Sequence, residues 1–352
     1  MPNFKSIDKE KTIKKLEAAL NFYGLDEEYS IEKIENKMLK LSRRGFGDLV
    51  SEIVQKANID NINEMNKLLE LLSAFGNILP NLELGGLSPT EMVEWHYDQK
   101  IEDIRDEEYS DTVLLNDAIG FLTYIKENKI ILTQTLKELK RKDIHNLNDL
   151  LVNPDEIDPK IGDRVFKLQR EVEARTVHFL KFLTDVAGLI KQRLNKITIT
   201  KKGKRFLLLS SSQQYSILFE TWLLDLDWSS LQYFDGDFIE AMQGEGSIIL
   251  YRLAVLLDLK KTVTVHDFNK QIMAMLELRI NKRNEHSLGF TTERAILDRL
   301  TYFGLLSCKH KIEQGGLPYR IRSENKEYSL TDFGRKYLIN FILRDASNMV
   351  NQ

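Results

Sequence analysis

Lys191, Arg193, Lys196, Lys201, Lys202, Lys204 and Arg205 place seven cations within fifteen residues. Side chains of this type and spacing neutralise phosphates, because clustered charge rather than net charge is what a polyanion responds to. Arg175, His178 and Lys181 precede them at helical spacing, opposite Phe179, Leu183, Val186 and Ile190, and are expected to point outward. Residues 160–206 as a whole hold thirteen basic against four acidic residues, a net of +9. A second, milder cluster follows the same grammar. There Arg294 lies on the outer face of a helix, with Lys309, Lys311, Arg320 and Arg322 on or near a hairpin. Residues 260–337 carry fifteen basic against nine acidic residues, a net of +6.

Other chemistry lacks a constellation. His96, His145, His178, His266, His286 and His310 are scattered. Cys308 with His310 falls short of the four ligands a structural zinc site takes. Gly85-Gly86 and Gly315-Gly316 lack the following Lys-Ser/Thr of a phosphate loop, and no Gly-x-Ser-x-Gly elbow occurs. Asp225 and Asp227 stand without the remaining ligands of a calcium loop. The sequence therefore predicts no enzyme, no metal and no cofactor.

The elements that must position the cations are helices and short hairpins. The two basic stretches share a pattern: Gly-Leu-Ile/Leu, a basic strand, a second strand ending in threonine, and glycine three residues on. Gly188–Gly203 and Gly304–Gly334 are the two copies, and each reads as a hairpin leading into a helix. In the first copy the turn is expected at Asn195-Lys196. Upstream, Val113–Ile125 reads as a helix, Lys129–Leu132 as a strand, and helices are expected from Thr133 and from Ile161. In the second copy Thr291 or Thr292 is expected to cap the helix before the hairpin.

Around these modules the chain is helical. Lys9–Tyr23, Ser30–Ser42, Phe46–Lys56 and Asn63–Phe75 space their apolar residues for one buried face each. Ser88, Pro89 and Glu91 form a capping-box pattern. Residues 98–111 are acidic and read as a surface linker or a frayed helix end. Residues 207–259 have a net charge of −7 and carry Tyr215, Phe219, Trp222, Trp228, Tyr233 and Phe234, a stripe better suited to packing than to stacking on bases. The expected fold class is mostly α with small β-hairpin wings. The domains are a helical domain over 1–97, the linker 98–111, a first module over 112–206, an aromatic helical connector over 207–259, and a second module over 260–352.

The segments GLIKQRLNKITITKKGKRFL and GLLSCKHKI with EYSLTDFGRKYL resemble the LT-x-x-G wing and following helix of winged-helix DNA-binding proteins, such as multiple-antibiotic-resistance-type and phenolic-acid-type regulators. LGGLSPTEM, KIILTQTLKELKRKD, AGLIKQRLNKITITKKGKRFL and YSILFETWLLDLDW, in that order, resemble a group of uncharacterised prokaryotic proteins, some with a SEC-C-type metal-binding tail. This chain, with one cysteine, lacks that tail. The resemblance implies two winged-helix modules and transfers no site residues.

The reading that follows is a non-catalytic nucleic-acid-binding protein with a regulatory role, contacting duplex DNA through its modules. The alternative is a protein-interaction scaffold in which the modules serve assembly. The single cysteine fits a reducing compartment, and neither a secretory signal nor an apolar run of spanning length occurs, so a cytoplasmic location without membrane contact is expected.

Overall fold

A computed structural model describes residues 9–38, 43–161, 163–231, 236–276, 285–310 and 326–350. In chain order its regular elements begin with α1 (Lys9–Phe22), α2 (Ile31–Met38), α3 (Arg43–Lys56), α4 (Ile62–Ile78), α5 (Pro89–Asp98) and α6 (Asp106–Ser110). Next come α7 (Val113–Glu127), β1 (Ile130–Ile131), α8 (Arg141–Asn148), β2 (Lys160–Ile161), β3 (Arg164–Val165) and α9 (Arg175–Val186). The hairpin β4 (Ile190–Arg193) and β5 (Lys196–Ile199) leads to α10 (Lys201–Phe206) and α11 (Ser211–Glu220). The chain continues with α12 (Gly236–Gly244), α13 (Gly246–Lys260), β6 (Val263–Thr264), α14 (Val265–Met275), α15 (Glu285–Thr292) and α16 (Asp298–Tyr302). It closes with β7 (Leu306–His310), β8 (Lys326–Leu330) and α17 (Asp332–Val350). The protein is mostly helical, with small sheets, as the sequence predicts. No helix among the described residues is long and apolar enough to cross a membrane.

Two compact units divide the chain. One takes the described residues of 1–101, 248–289 and 310–327; the other takes those of 102–247, 290–309 and 328–352. The stretch read as a second module, 260–352, is thus shared between both.

In the first unit, α1 to α4 bury one face each around Leu16, Leu20, Leu49, Ile53, Leu68, Leu72 and Phe75. The capping box forms: Ser88 Oγ accepts from the Glu91 amide at 3.2 Å, and the Glu91 carboxylate accepts from the Ser88 amide at 2.7 Å. The turn before it is held by the Glu83 carbonyl, which accepts from Arg252 Nη1 at 3.0 Å and Gln271 Nε2 at 3.1 Å. Trp95 Nε1 donates to Asp258 at 2.8 Å. These bonds explain why 248–276 joins the N-terminal helices.

In the second unit, α7, β1, α8, α9, β4 and β5 follow one another, and the strands form an antiparallel sheet in the order β1-β5-β4. Ile130 pairs with Ile197, and Ile190 with Ile199. Ile130, Ile190 and Ile197 turn their side chains into the core. Two helices expected from the sequence start late. The stretch from Thr133 closes instead as a loop, with the Thr133 amide donating to the Glu138 carbonyl at 2.8 Å and Lys137 left-handed at φ 56°, so that α8 begins only at Arg141. Likewise Asp158 is left-handed at φ 58°, the β2–β3 hairpin follows, and α9 begins at Arg175. Thr291 and Thr292 are fully buried within a helical run rather than capping it.

The repeated grammar produces a repeated geometry. Gly188 and Gly304 end their helices at φ 69° and 77°, a conformation glycine adopts without strain. Thr200 Oγ1 donates to the Gly188 carbonyl and accepts from the Gly203 amide, at 2.7 and 2.9 Å. Thr331 Oγ1 donates to the Gly304 carbonyl and accepts from the Gly334 amide, at 2.7 and 2.8 Å. Each threonine thus fastens its helix start to the preceding helix end.

The acidic stretch 98–111 is not a free linker. Glu102 pairs with Arg335 at 2.6 Å, Glu108 pairs with Lys336 at 2.9 Å, and Asp106 accepts from the Ser211 and Ser212 amides at the start of α11. The aromatic stripe forms the core beside it: Tyr215, Phe219 and Trp222 are fully buried against Phe303, and Tyr215 donates to the Phe303 carbonyl at 2.8 Å.

Candidate nucleic-acid interface

The hairpin and α10 present their cations outward. Lys191, Arg193, Lys196, Lys201, Lys202, Lys204 and Arg205 are all exposed. None of the seven has an ion pair or side-chain hydrogen bond with any of the described residues. The local fold explains the arrangement. In β5 the apolar Ile197 faces in, so Lys196 and Thr198 face out. In α10 the buried positions are Gly203 and Phe206, which leaves Lys201, Lys202, Lys204 and Arg205 on the solvent side.

The turn between the strands falls at Leu194-Asn195, one residue earlier than expected. Both residues are left-handed, at φ 47° and 59°. The Asn195 carbonyl accepts from the Leu132 amide of the segment after β1 at 2.8 Å, and its side chain accepts from Lys137 Nζ. The hairpin tip is therefore tied down at its base while Leu194 stands 84% exposed.

Helix α9 departs from the outward-facing role expected of it. His178 and Lys181 are buried, not displayed, and both turn onto the carboxylate of Glu171. His178 Nδ1 lies 2.9 Å from Glu171 Oε1, and Lys181 Nζ donates to both carboxylate oxygens at 3.0 and 2.8 Å. The Leu139 amide donates to Oε2 as well. Burial works against ionisation of Glu171, but His178, Lys181 and that amide outweigh it and hold the carboxyl below its usual range. No local pattern in the sequence marks Glu171, because its partners come from a loop and from the following helix.

The reason for the inward turn is the packing of α9, which buries Val177, Phe179, Leu180, Leu183 and Thr184 as well. Phe179 meets the Tyr302 ring edge-on at 6.0 Å, and the Arg299 guanidinium lies 4.1 Å over the Phe179 ring. Tyr302 in turn donates to Asp117 at 2.8 Å. The helix is enclosed on more than one face.

Arg175 remains exposed at the start of α9. Partial desolvation, and then the nearby Arg294, push its pKa down. Arg294 itself is paired with Asp298 at 3.2 Å and lies over Phe290. These two expected contacts, from the helical segments that precede the two copies, thus lie near each other, with Arg299 also close to Arg175. Lys309 is exposed at the end of β7. Lys311, Arg320 and Arg322 lie outside the described residues. Among the described residues, no group of three or more His, Cys, Asp or Glu is placed to hold a metal ion.

Residues 110–214 match the family model of the Y4jL N-terminal domain. The matched segment runs from the end of α6 to the first turn of α11, and it contains the whole β1-β5-β4 sheet, the Glu171 cluster and the seven exposed cations. Comparison with curated proteins and with solved structures found no match.

Proposed function

We propose that this protein is a non-catalytic nucleic-acid-binding protein that grips the phosphate backbone of duplex DNA through the β4–β5 hairpin and α10. The observation that carries the reading is the exposure of Lys191, Arg193, Lys196, Lys201, Lys202, Lys204 and Arg205, none of them paired with a described residue. A surface of this kind neutralises phosphates and releases counterions. In this reading the matched segment is a winged-helix module and the hairpin is its wing. The helix order, the β1-β5-β4 sheet and the threonine clasp repeated at Thr331 support that assignment.

A winged helix usually reads bases with its third helix in the major groove. Here α9 is enclosed, so the proposed contacts are to phosphate and groove shape, and the role is regulation or organisation without strong base readout. Changing Lys201, Lys202, Lys204 and Arg205 together to alanine tests this. The variant is expected to bind all duplex sequences more weakly and with a flatter salt dependence; unchanged binding would sink the assignment of this surface.

The burial of α9 also favours a second reading, in which the modules serve protein assembly and the cations dock on an acidic partner. A stoichiometric protein partner recovered in a pull-down insensitive to nuclease supports that reading over the first.

A further inference from the structure

A cavity of about 310 Å³ opens between α11 and α17 in the second unit, and none of the seven hairpin and α10 cations lines it. Its size lies in the range of small-molecule sites, roughly 300–1,000 Å³. We propose that it binds a small aromatic zwitterion: a planar ring bearing both a carboxylate and an ammonium group, as in an aromatic amino acid.

The walls are aromatic. Tyr337 and Phe341 stand one turn apart on α17, and Tyr109 of α6 closes one side. Tyr337 is buried, and the Tyr109 ring stands edge-on to it at 6.2 Å and to Tyr215 at 5.5 Å. The rings are therefore held from behind before any ligand arrives. Asn340 is fixed too. Its Oδ1 accepts from the Glu102 amide at 2.9 Å and its Nδ2 donates to the Glu102 carbonyl at 2.7 Å. A flat ring entering this cavity meets preformed edges and faces, which favour it over a branched aliphatic chain.

The charges define the rest of the ligand. Glu220 of α11 and Arg344 of α17 line the same cavity. They form no ion pair or hydrogen bond with each other or with any described residue. Two opposite charges that line the same aromatic-walled cavity complement a molecule that carries the reverse pair. The guanidinium of Arg344 suits a carboxylate, which it can hold with two parallel bonds. Glu220 suits an ammonium.

The backbone beside Glu220 supplies a second, independent sign. Immediately after it, Thr221–Asp225 winds as a π-helical turn, closed by the Leu226 amide donating to the Thr221 carbonyl at 2.8 Å. Such turns are rare and concentrate at functional sites. Here the wider turn changes the facing of α11 where it borders the cavity, and Leu224, from within it, joins the lining.

Calorimetric titration of the protein with L-phenylalanine tests the proposal. Binding is expected, and phenethylamine (no carboxylate) and phenylacetate (no ammonium) are each expected to bind at least about tenfold more weakly, the loss of one charge-assisted contact; L-leucine, which keeps both charges but has no ring to lie against the aromatic walls, is expected to bind about tenfold more weakly as well. Arg344→Gln should erase the preference over phenethylamine, and Glu220→Gln the preference over phenylacetate. Both side chains are exposed, so the fold should tolerate the changes. Ser216→Phe, which fills the cavity from α11, should abolish binding while far-ultraviolet circular dichroism stays unchanged. No heat from L-phenylalanine at millimolar concentration overturns the proposal. So does binding that survives Ser216→Phe, or that ignores both charge variants. Leucine binding as tightly as phenylalanine overturns the aromatic assignment.

Discussion

Gly203 lies so close to Leu189 that a Cβ on the glycine would stand 2.1 Å from the Leu189 carbonyl oxygen. The second repeat has the same relationship, with a Cβ on Gly334 reaching 1.9 Å from the Leu305 carbonyl oxygen. Both glycines follow the clasping threonine by three residues, so the glycine of the LT-x-x-G spacing is where the first strand's entry crosses the next helix. Gly203→Ala and Gly334→Ala should each destabilise the second unit by about 1–3 kcal/mol or more, since backbone must move. Gly120→Ala, in α7 with nothing within 4 Å of its Cβ position, should instead stabilise by up to about 1 kcal/mol. Chemical denaturation of the three variants checks the contrast.

Glu171 gives the unit an acid limit. Its carboxyl is held below the usual range in the folded protein, so its contribution is fully present above the unfolded value of about 4.3 and is lost as pH falls through the lower folded value. Glu171→Gln leaves Lys181 and His178 buried without their carboxylate. The expected cost near neutral pH is about 3–5 kcal/mol. Stability of the variant should also fall less steeply in acid than that of the wild type. Denaturation midpoints measured between neutral pH and pH 3 would show whether the limb disappears.

Leu194 stores strain at the hairpin tip. A left-handed conformation costs a branched residue about 1–2 kcal/mol, whereas asparagine tolerates it. Because Leu194 is 84% exposed, little packing is lost on replacement. Leu194→Asn should therefore raise the thermal midpoint by a few degrees. A lower midpoint would mean that the leucine makes contacts that its exposure does not reveal.

Enclosure of α9 has its own consequence for recognition. With Phe179 under Arg299 and beside Tyr302, and with Lys181 turned onto Glu171, the helix offers few groups to base edges. Affinities for unrelated duplexes of equal length should differ by less than about tenfold, since a site reading several base pairs would gain about 1–3 kcal/mol from each. A duplex selected from a random pool that binds a hundredfold more tightly would contradict this.

Much of the frame was legible in the sequence because it rests on local rules. The Ser88–Glu91 capping box, Gly188 and Gly304 ending helices, the basic hairpin and the repeat of Thr200-x-x-Gly203 at Thr331-x-x-Gly334 each follow from a few adjacent residues. What escaped depends on partners far along the chain. His178 and Lys181 sit at spacing that suits either an outer face or a buried charge pair, and Glu171, which decides between them, lies outside their helix. The stretch 98–111 reads locally as a linker or a helix end, and its counter-charges, Arg335 and Lys336, lie more than two hundred residues further along the chain. The cavity beside Glu220 and Arg344 has no sequence signature, because its two walls, α11 and α17, lie far apart along the chain.

The central claim is tested most directly by titrating salt against binding of the wild-type protein to a random-sequence duplex and to a matched single strand. The account predicts duplex affinity in the micromolar range at low salt, falling steeply as salt rises, with a slope of about −0.9 for each phosphate neutralised. No binding to either at low salt would contradict it, and would leave Lys191 to Arg205 facing a protein partner instead.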